Sequence, residues 1–231
     1  MELTDINIPS TLASSSDQVE AKEQTSVHLD SVRELFGEAN VTYYPGAYLI
    51  PQLGKLKWDG HIYVSGATGA GKSYLIRQIV ENDLKTRKVY LFSDVKNDAS
   101  LKGLTLHPGD GIVDLGEHLR DCICIFDDYN QGRDLRDAIL EKGRHFNCMC
   151  ICVNHKHREW KNTMKPLNES KYVVLFPSAN KGVVLHEMKA IGLDKKQRTA
   201  IVSLASEHGR FMLLHQHAPN AIVTQQAIVK L

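Results

Sequence analysis

The segment Gly66-Ala67-Thr68-Gly69-Ala70-Gly71-Lys72-Ser73 constrains this chain more than any other stretch. Three glycines followed by Lys and a hydroxyl residue satisfy the spacing G-x-x-x-x-G-K-[ST]. The segment follows the β-rich run His61-Ile62-Tyr63-Val64-Ser65. It opens KSYLIRQIVENDLK, whose apolar residues Leu75, Ile76, Ile79, Val80 and Leu84 recur at helical spacing. Small residues let backbone N–H groups curl round an anion, and the helix beginning near Lys72 points its positive end at the same place. A loop of this kind needs a strand before it and a helix after it, so an α/β architecture is expected and all-helical or all-β folds are excluded.

The rest of the chain keeps that rhythm. KVYLFSD, CICIFDD, CMCICVN and KYVVLFP read as further strands. RDLRDAILEKGRHF reads as a helix through Leu135, Ala138 and Ile139, with Gly143 as its stop, and a turn is expected between Val32 and Glu38. DKKQRTAIVSLASEHG is a further helix, and RFMLLHQ and AIVTQQAIVKL are two short strands. Alternating strands and helices imply a mostly parallel central sheet flanked by helices, with ligands at the carboxyl ends of its strands. The expected class is a P-loop NTPase of the additional-strand type.

Candidate chemistry gathers at those strand ends. A lysine in this loop bridges the β- and γ-phosphates of a nucleotide, and the following hydroxyl binds Mg²⁺, which assigns these roles to Lys72 and Ser73. The apolar run Ile123-Cys124-Ile125-Phe126 ends in Asp127 and Asp128. Asp127 is placed to hold Mg²⁺ through water and Asp128 to polarise an attacking water, although two acids there also suit the cap of a following helix. Asn154 ends the strand expected beside the phosphate loop, within reach of the γ-phosphate or the water, or serves simply as a strand-end residue. Asp94 and Lys96 end the second strand, where they order neighbouring loops or form a turn.

Composition sets the frame. The chain has 231 residues, 42% of them hydrophobic, enough for one α/β domain with a real core. No apolar run approaches the ~18 to 20 residues that span a bilayer, and the amino-terminal stretch lacks the pattern of a secretory or transit peptide. Residues 1–40 carry eight acidic and two basic side chains, so the net charge of +1 hides a body of +7. That excess fits a polyanion and equally fits a mildly basic domain. Residues 1–28 read as a flexible acidic arm, 29–57 as a lead-in segment packing on the core, and 58–231 as a single domain. The five cysteines alternate within strands, so each set faces one side of a sheet as reduced core thiols. Zinc ligands, the alternative, sit more often on turns.

GATGAGKS, FSDVKND, CICIFDD and GRHFNCMCICVNH, in that order, resemble the FtsK/HerA branch of P-loop ATPases. Ser178-Ala179-Asn180-Lys181-Gly182, then Gly209-Arg210-Phe211-Met212-Leu213-Leu214 with APNAIV, are similar to the compact genome-packaging ATPases of poxviruses, giant DNA viruses, virophages and Polintons. The match runs from about Trp58 to Leu231. It implies a ring-shaped oligomer, a hexamer, that hydrolyses ATP with Mg²⁺ at subunit interfaces and drives double-stranded DNA into a preformed capsid. Capsid or membrane-associated portal components would be its partners. Host cytoplasm, a viral factory or the virion would be its setting.

The resemblance carries over Lys72 and Ser73 as loop residues, Asp127 as the Mg²⁺ acid, Asp128 as the water-activating acid and Asn154 as the sensor. Arg144 matches the arginine that reaches a neighbour's γ-phosphate, and Arg210 is a second candidate. The family more broadly has Glu at the Asp128 position and often Gln at the Asn154 position, so both side chains must sit closer to reach the same water. Lys156, Arg158, Lys161 and Lys165 lie just beyond the sensor, in a loop placed either to follow DNA phosphates in a ring pore or simply to be solvated. The rival readings are another FtsK/HerA-like DNA-pumping ATPase, a P-loop kinase, for which no Arg-rich lid is evident, and a nucleotide-binding assembly protein, which has no need of Asp128.

Overall fold

The computed structural model describes residues 27–44, 58–81, 83–93, 101, 104–106, 115–129, 132–154, 160–176, 184–185, 188–189, 192–208, 212–215 and 221–231. Asp94, Lys96, Arg210, the basic residues Lys156 and Arg158, the Ser178 to Gly182 block and the arm before residue 27 lie outside the described residues.

Among the described residues, ten strands form one sheet: β1 Val41–Tyr43, β2 Ile62–Ser65, β3 Lys88–Ser93, β4 Thr105–Leu106, β5 Cys122–Asp127, β6 Met149–Asn154, β7 Tyr172–Leu175, β8 Met212–His215, β9 Ala221–Val223 and β10 Ala227–Lys230. Their order is β1-β10-β9-β8-β7-β2-β6-β5-β3-β4. From β7 to β4 every pairing is parallel, and from β7 through β8, β9 and β10 to β1 every pairing is antiparallel. β6 lies between β2, which leads into the glycine loop, and β5, which ends in the two acids. This is the additional-strand arrangement that the sequence pattern implies.

The helices are α1 Val27–Phe36, α2 Lys72–Val80, α3 Arg133–Lys142, α4 Trp160–Glu169 and α5 Lys195–His208. Strand residues alternate between two apolar layers. Ile123, Ile125, Met149, Ile151 and Val153 pack with Leu75, Ile76, Ile79 and Val80 of α2. Cys122, Cys124, Cys148, Cys150 and Cys152 pack on the opposite face with Leu29 and Val32 of α1, Ile139 of α3 and Ile201 of α5. All five cysteines are therefore core residues, and the register of β5 against β6 puts both sets on the same face. Fully burying a side chain such as Ile123 or Ile151 contributes roughly 1.5 to 3 kcal/mol.

Two local features differ from the sequence reading. The helix expected only as a turn after Val32 begins at Val27, because Leu29 and Val32 are both buried along one stripe against α5. AIVTQQAIVKL is not one strand but the hairpin β9–β10: the Thr224 N–H donates to the Ala227 carbonyl at 2.8 Å, and Thr224 Oγ1 accepts from the Ala227 N–H at 3.0 Å. Gly143 follows the last residue of α3, as the sequence implies. It is right-handed (φ −56°, ψ −34°) and opens a 3₁₀ turn, Gly143–Phe146, while the left-handed residue is Asn147 at φ 53°. Glycine is required at 143 for space, since a Cβ would stand 2.7 Å from the Cys148 carbonyl oxygen.

Candidate nucleotide site

The glycine loop leaves the carboxyl end of β2 and turns directly into α2. Gly69 (φ 77°) and Gly71 (φ 102°) occupy the left-handed region, which L side chains rarely adopt. Gly66 is needed for a different reason, because a Cβ there would lie 2.6 Å from Cβ of Phe176, the residue that follows β7. A Cβ at Gly69 would meet nothing within 4 Å, so that side of the loop is open. Lys72, the first residue of α2, is only 3% exposed, and its Nζ donates to the carbonyl oxygens of Gly66 and Ala67, each at 2.8 Å. Burial pulls the Lys72 ammonium below the ordinary lysine range, while the charges of Asp127 and Asp128 act in the opposite direction. Ser73, one residue on in α2, is half-buried, and Thr68 is exposed on the loop.

Asp127 closes β5 and is 8% exposed, opposite Ser93 of β3 and Val153 of β6. Asp128 follows with φ 49°, its N–H donating to the Val153 carbonyl at 3.2 Å and its residue exposed. Asn154 stands opposite Ser65 in the β2–β6 register, and its carbonyl accepts the Gly66 N–H at 3.3 Å. Lys72, Ser73, Asp127, Asp128 and Asn154 are thereby gathered at the carboxyl ends of three adjacent strands, as the sequence implies. An ammonium, two carboxylates, a hydroxyl and the amino-terminal end of α2 in one place can hold a polyphosphate and position a water against it.

Arg144 does not join them. It lies on the turn before β6, and the six residues of that strand put about 17 Å between its start and Asn154. It is exposed, and its side chain has no partner among the described residues. It lines a cavity of about 410 Å³ with Trp58, His61, Arg87, Asn147 and Cys148 at the amino ends of β2, β3 and β6.

Two residues with positional roles escaped the sequence reading. Phe176 backs the loop at Gly66, and its own N–H donates to the Ser65 carbonyl at 2.9 Å. An aromatic directly after a strand destined to flank β2 is the signal, but the pairing must be known first. His61 precedes β2 and accepts the Cys150 N–H on Nδ1 at 3.0 Å. Burial lowers its pKa, opposed by a hydrogen bond to the Leu140 backbone.

Comparison with protein-family models gives no match, and comparison with curated proteins gives none. Among solved structures the chain is similar to the genome packaging NTPase B204 from Sulfolobus turreted icosahedral virus 2 in complex with ATP-gammaS, with a TM-score of 0.47 and 14% identity over 74% of this chain and 97% of that one. It is similar also to B204 in complex with AMP, with a TM-score of 0.48 and 15% identity over 76% and 98%. The pCW3 conjugation coupling protein TcpA, monomer form with ATPgS, gives a TM-score of 0.45 and 14% identity over 81% and 65%. The structural neighbours are thus a viral genome packaging NTPase and a conjugation coupling protein.

Proposed function

We propose that this protein is an FtsK/HerA-type ATPase that moves double-stranded DNA, packaging a viral genome into a capsid as a ring of identical subunits. The observation that carries the reading is the placement of Lys72 in a glycine loop, with Asp127 and Asp128 one strand away across Asn154. ATP is the substrate. The loop's N–H groups and Lys72 hold its β- and γ-phosphates, and Gly66 through Gly71 leave room for them. Ser73 and Asp127 would hold Mg²⁺. A hydroxyl and an acceptor-only carboxylate at the loop's edge suit a hard cation, which supplies charge neutralisation on the phosphate oxygens when bound. Asp128 accepts a proton from the attacking water, and Asn154 orients that water.

Arg144 stands a strand length from its own Lys72, so within this reading it serves a neighbour's γ-phosphate. The mildly basic body and the order of the sequence blocks support DNA as the polymer that is moved. Capsid and portal partners, and a cytoplasmic or viral-factory setting, follow from the resemblance. ATP hydrolysis measured with and without double-stranded DNA tests the reading. Turnover stimulated by DNA is expected, whereas a need for a small phosphate acceptor would point to a kinase and an absence of turnover to a passive binder.

A further inference from the structure

Two of the five thiols meet at the amino-terminal end of the sheet. β5 and β6 pair Ile123 with Met149 and Cys124 with Cys150, so Cys122, the first residue of β5, stands opposite Cys148, the residue just before β6. Neighbouring strands run about 4.8 Å apart, inside the Cα separation of roughly 4.4 to 6.8 Å that a disulfide accepts. The two sulfurs are 3.4 Å apart. An approach of about 1.4 Å, a modest side-chain rotation, brings them to the bonding distance of ~2.05 Å. Cys122 with Cys124 at 3.8 Å and Cys150 with Cys152 at 3.4 Å are also close. Those pairs lie two residues apart on one extended strand, where the Cα atoms are ~6.6 Å apart, near the limit of disulfide reach.

Access and reactivity single out the same pair. Cys148 is the cysteine lining the 410 Å³ cavity, with Arg87 and Arg144 on the same wall. A hydrogen bond from the Cys124 thiol outweighs burial and, with a second from Cys148 and the charge of Arg87, brings Cys122 down to about 7. Burial and the bond to Cys122 push Cys148 up to about 12. At neutral pH the proton that the two sulfurs share rests on Cys148 and the thiolate on Cys122, 3.4 Å from the thiol beside the cavity.

We propose that Cys122 and Cys148 form a dithiol oxidation site, closed to an intrachain disulfide by a small hydroperoxide admitted through the cavity. The Cys122 thiolate attacks one peroxide oxygen, the O–O bond breaks, and the released hydroxide takes the Cys148 thiol proton and leaves as water, giving a sulfenic acid on Cys122. The Cys148 thiolate then attacks that sulfur, the S–O bond breaks, and the hydroxide leaves as water with a proton from solvent. The thiolate–thiol pair loses two electrons and one proton, and hydrogen peroxide becomes two waters with that proton and one from solvent. Cys148 directly follows the turn that carries Arg144, and its N–H is held by the Gly143 carbonyl at 2.9 Å. Oxidation therefore fixes that turn, and a fall in ATP turnover follows; this last consequence rests on the Arg144 reading above.

The test uses the full chain, treated with hydrogen peroxide under native conditions, alkylated, and mapped by mass spectrometry before and after a thiol reductant. A Cys122–Cys148 linkage, reversed by the reductant, is expected in the wild type and in Cys124→Ser, and is expected to be lost in Cys148→Ala. Full alkylation of both thiols after peroxide, or linkage of another pair in the wild type, overturns the site without needing any variant to fold. Turnover of the same samples is read alongside. A loss reversed by reductant in the wild type and missing in Cys148→Ala is expected, whereas linkage with unchanged turnover overturns the coupling through Arg144 and leaves the oxidation site standing.

Discussion

The two ends of β2, β5 and β6 are built from the same strands and the same two apolar layers, yet they hold opposite kinds of chemistry. At the carboxyl ends, left-handed glycines and a nearly buried ammonium face two carboxylates. At the amino ends, a histidine that burial disfavours as a cation, the Cys148 thiol and two arginines line a cavity, with Cys122 behind Cys148. The carboxyl end has its charges and its open backbone aimed inward at one loop. The amino end satisfies its polar groups within the sheet and leaves the Arg144 guanidinium at the domain edge. A parallel sheet separates the two by the length of one strand, so the glycine loop and Arg144 of one chain stand apart.

The comparison breaks first at Lys72. Lys72→Ala is expected to abolish ATP hydrolysis, read as phosphate release, because no other cation stands in the loop; wild-type turnover would move the site elsewhere. Arg144→Ala is expected to lose ~10³ to 10⁵ in rate, the scale of an arginine finger. Mixing it with Lys72→Ala subunits is expected to restore part of the hydrolysis, since some interfaces then pair an intact loop with an intact arginine, and an inactive mixture would argue against action between subunits. Asp128→Asn is expected to keep nucleotide affinity while kcat falls by ~100-fold or more, checked by equilibrium binding beside single-turnover rates.

Smaller effects test the two ends as structure. Gly66→Ala is expected to destabilise the fold by about 1 to 3 kcal/mol in urea unfolding, because the new methyl meets the Cβ of Phe176. His61 tests the other end through pH. Its folded-state pKa lies below 6.5, so the unfolded chain binds more protons in the window just beneath that value. Stability is therefore full above pH ~6.5 and falls on acidification through that window. The thermal midpoint of the wild type is expected to drop there more steeply than that of His61→Gln, and parallel curves would mean that His61 is not the titrating group.

The parallel half and the candidate site were legible because their signals are local. Period-two runs give β3, β5 and β6, helical spacing gives α2, and Asp127 and Asn154 announce themselves as polar residues ending apolar strands. What escaped depends on pairing. The β9–β10 turn has no glycine or proline and is closed by a threonine hydroxyl, so Thr224-Gln225-Gln226 reads as continuous strand until its hydrogen bonds are seen. The alternating cysteines assign each set to a face, but that both sets share one face follows only from the β5–β6 register. Gly143 was legible as a helix stop, but that a glycine is needed there, because the chain passes too close to Cys148 for any side chain, follows only from the structure.

The positive φ of Asp128 explains the departure noted at that position. Asp and Asn are several-fold enriched among non-glycine residues in the left-handed region, where a short polar side chain can hydrogen-bond locally. The Asp128 N–H is at the same time tied to Val153, so neither torsion can relax without loosening the end of β6. The main chain thus favours the shorter acid at this position. A glutamate there would gain a methylene of reach and lose the local fit that the left-handed backbone allows.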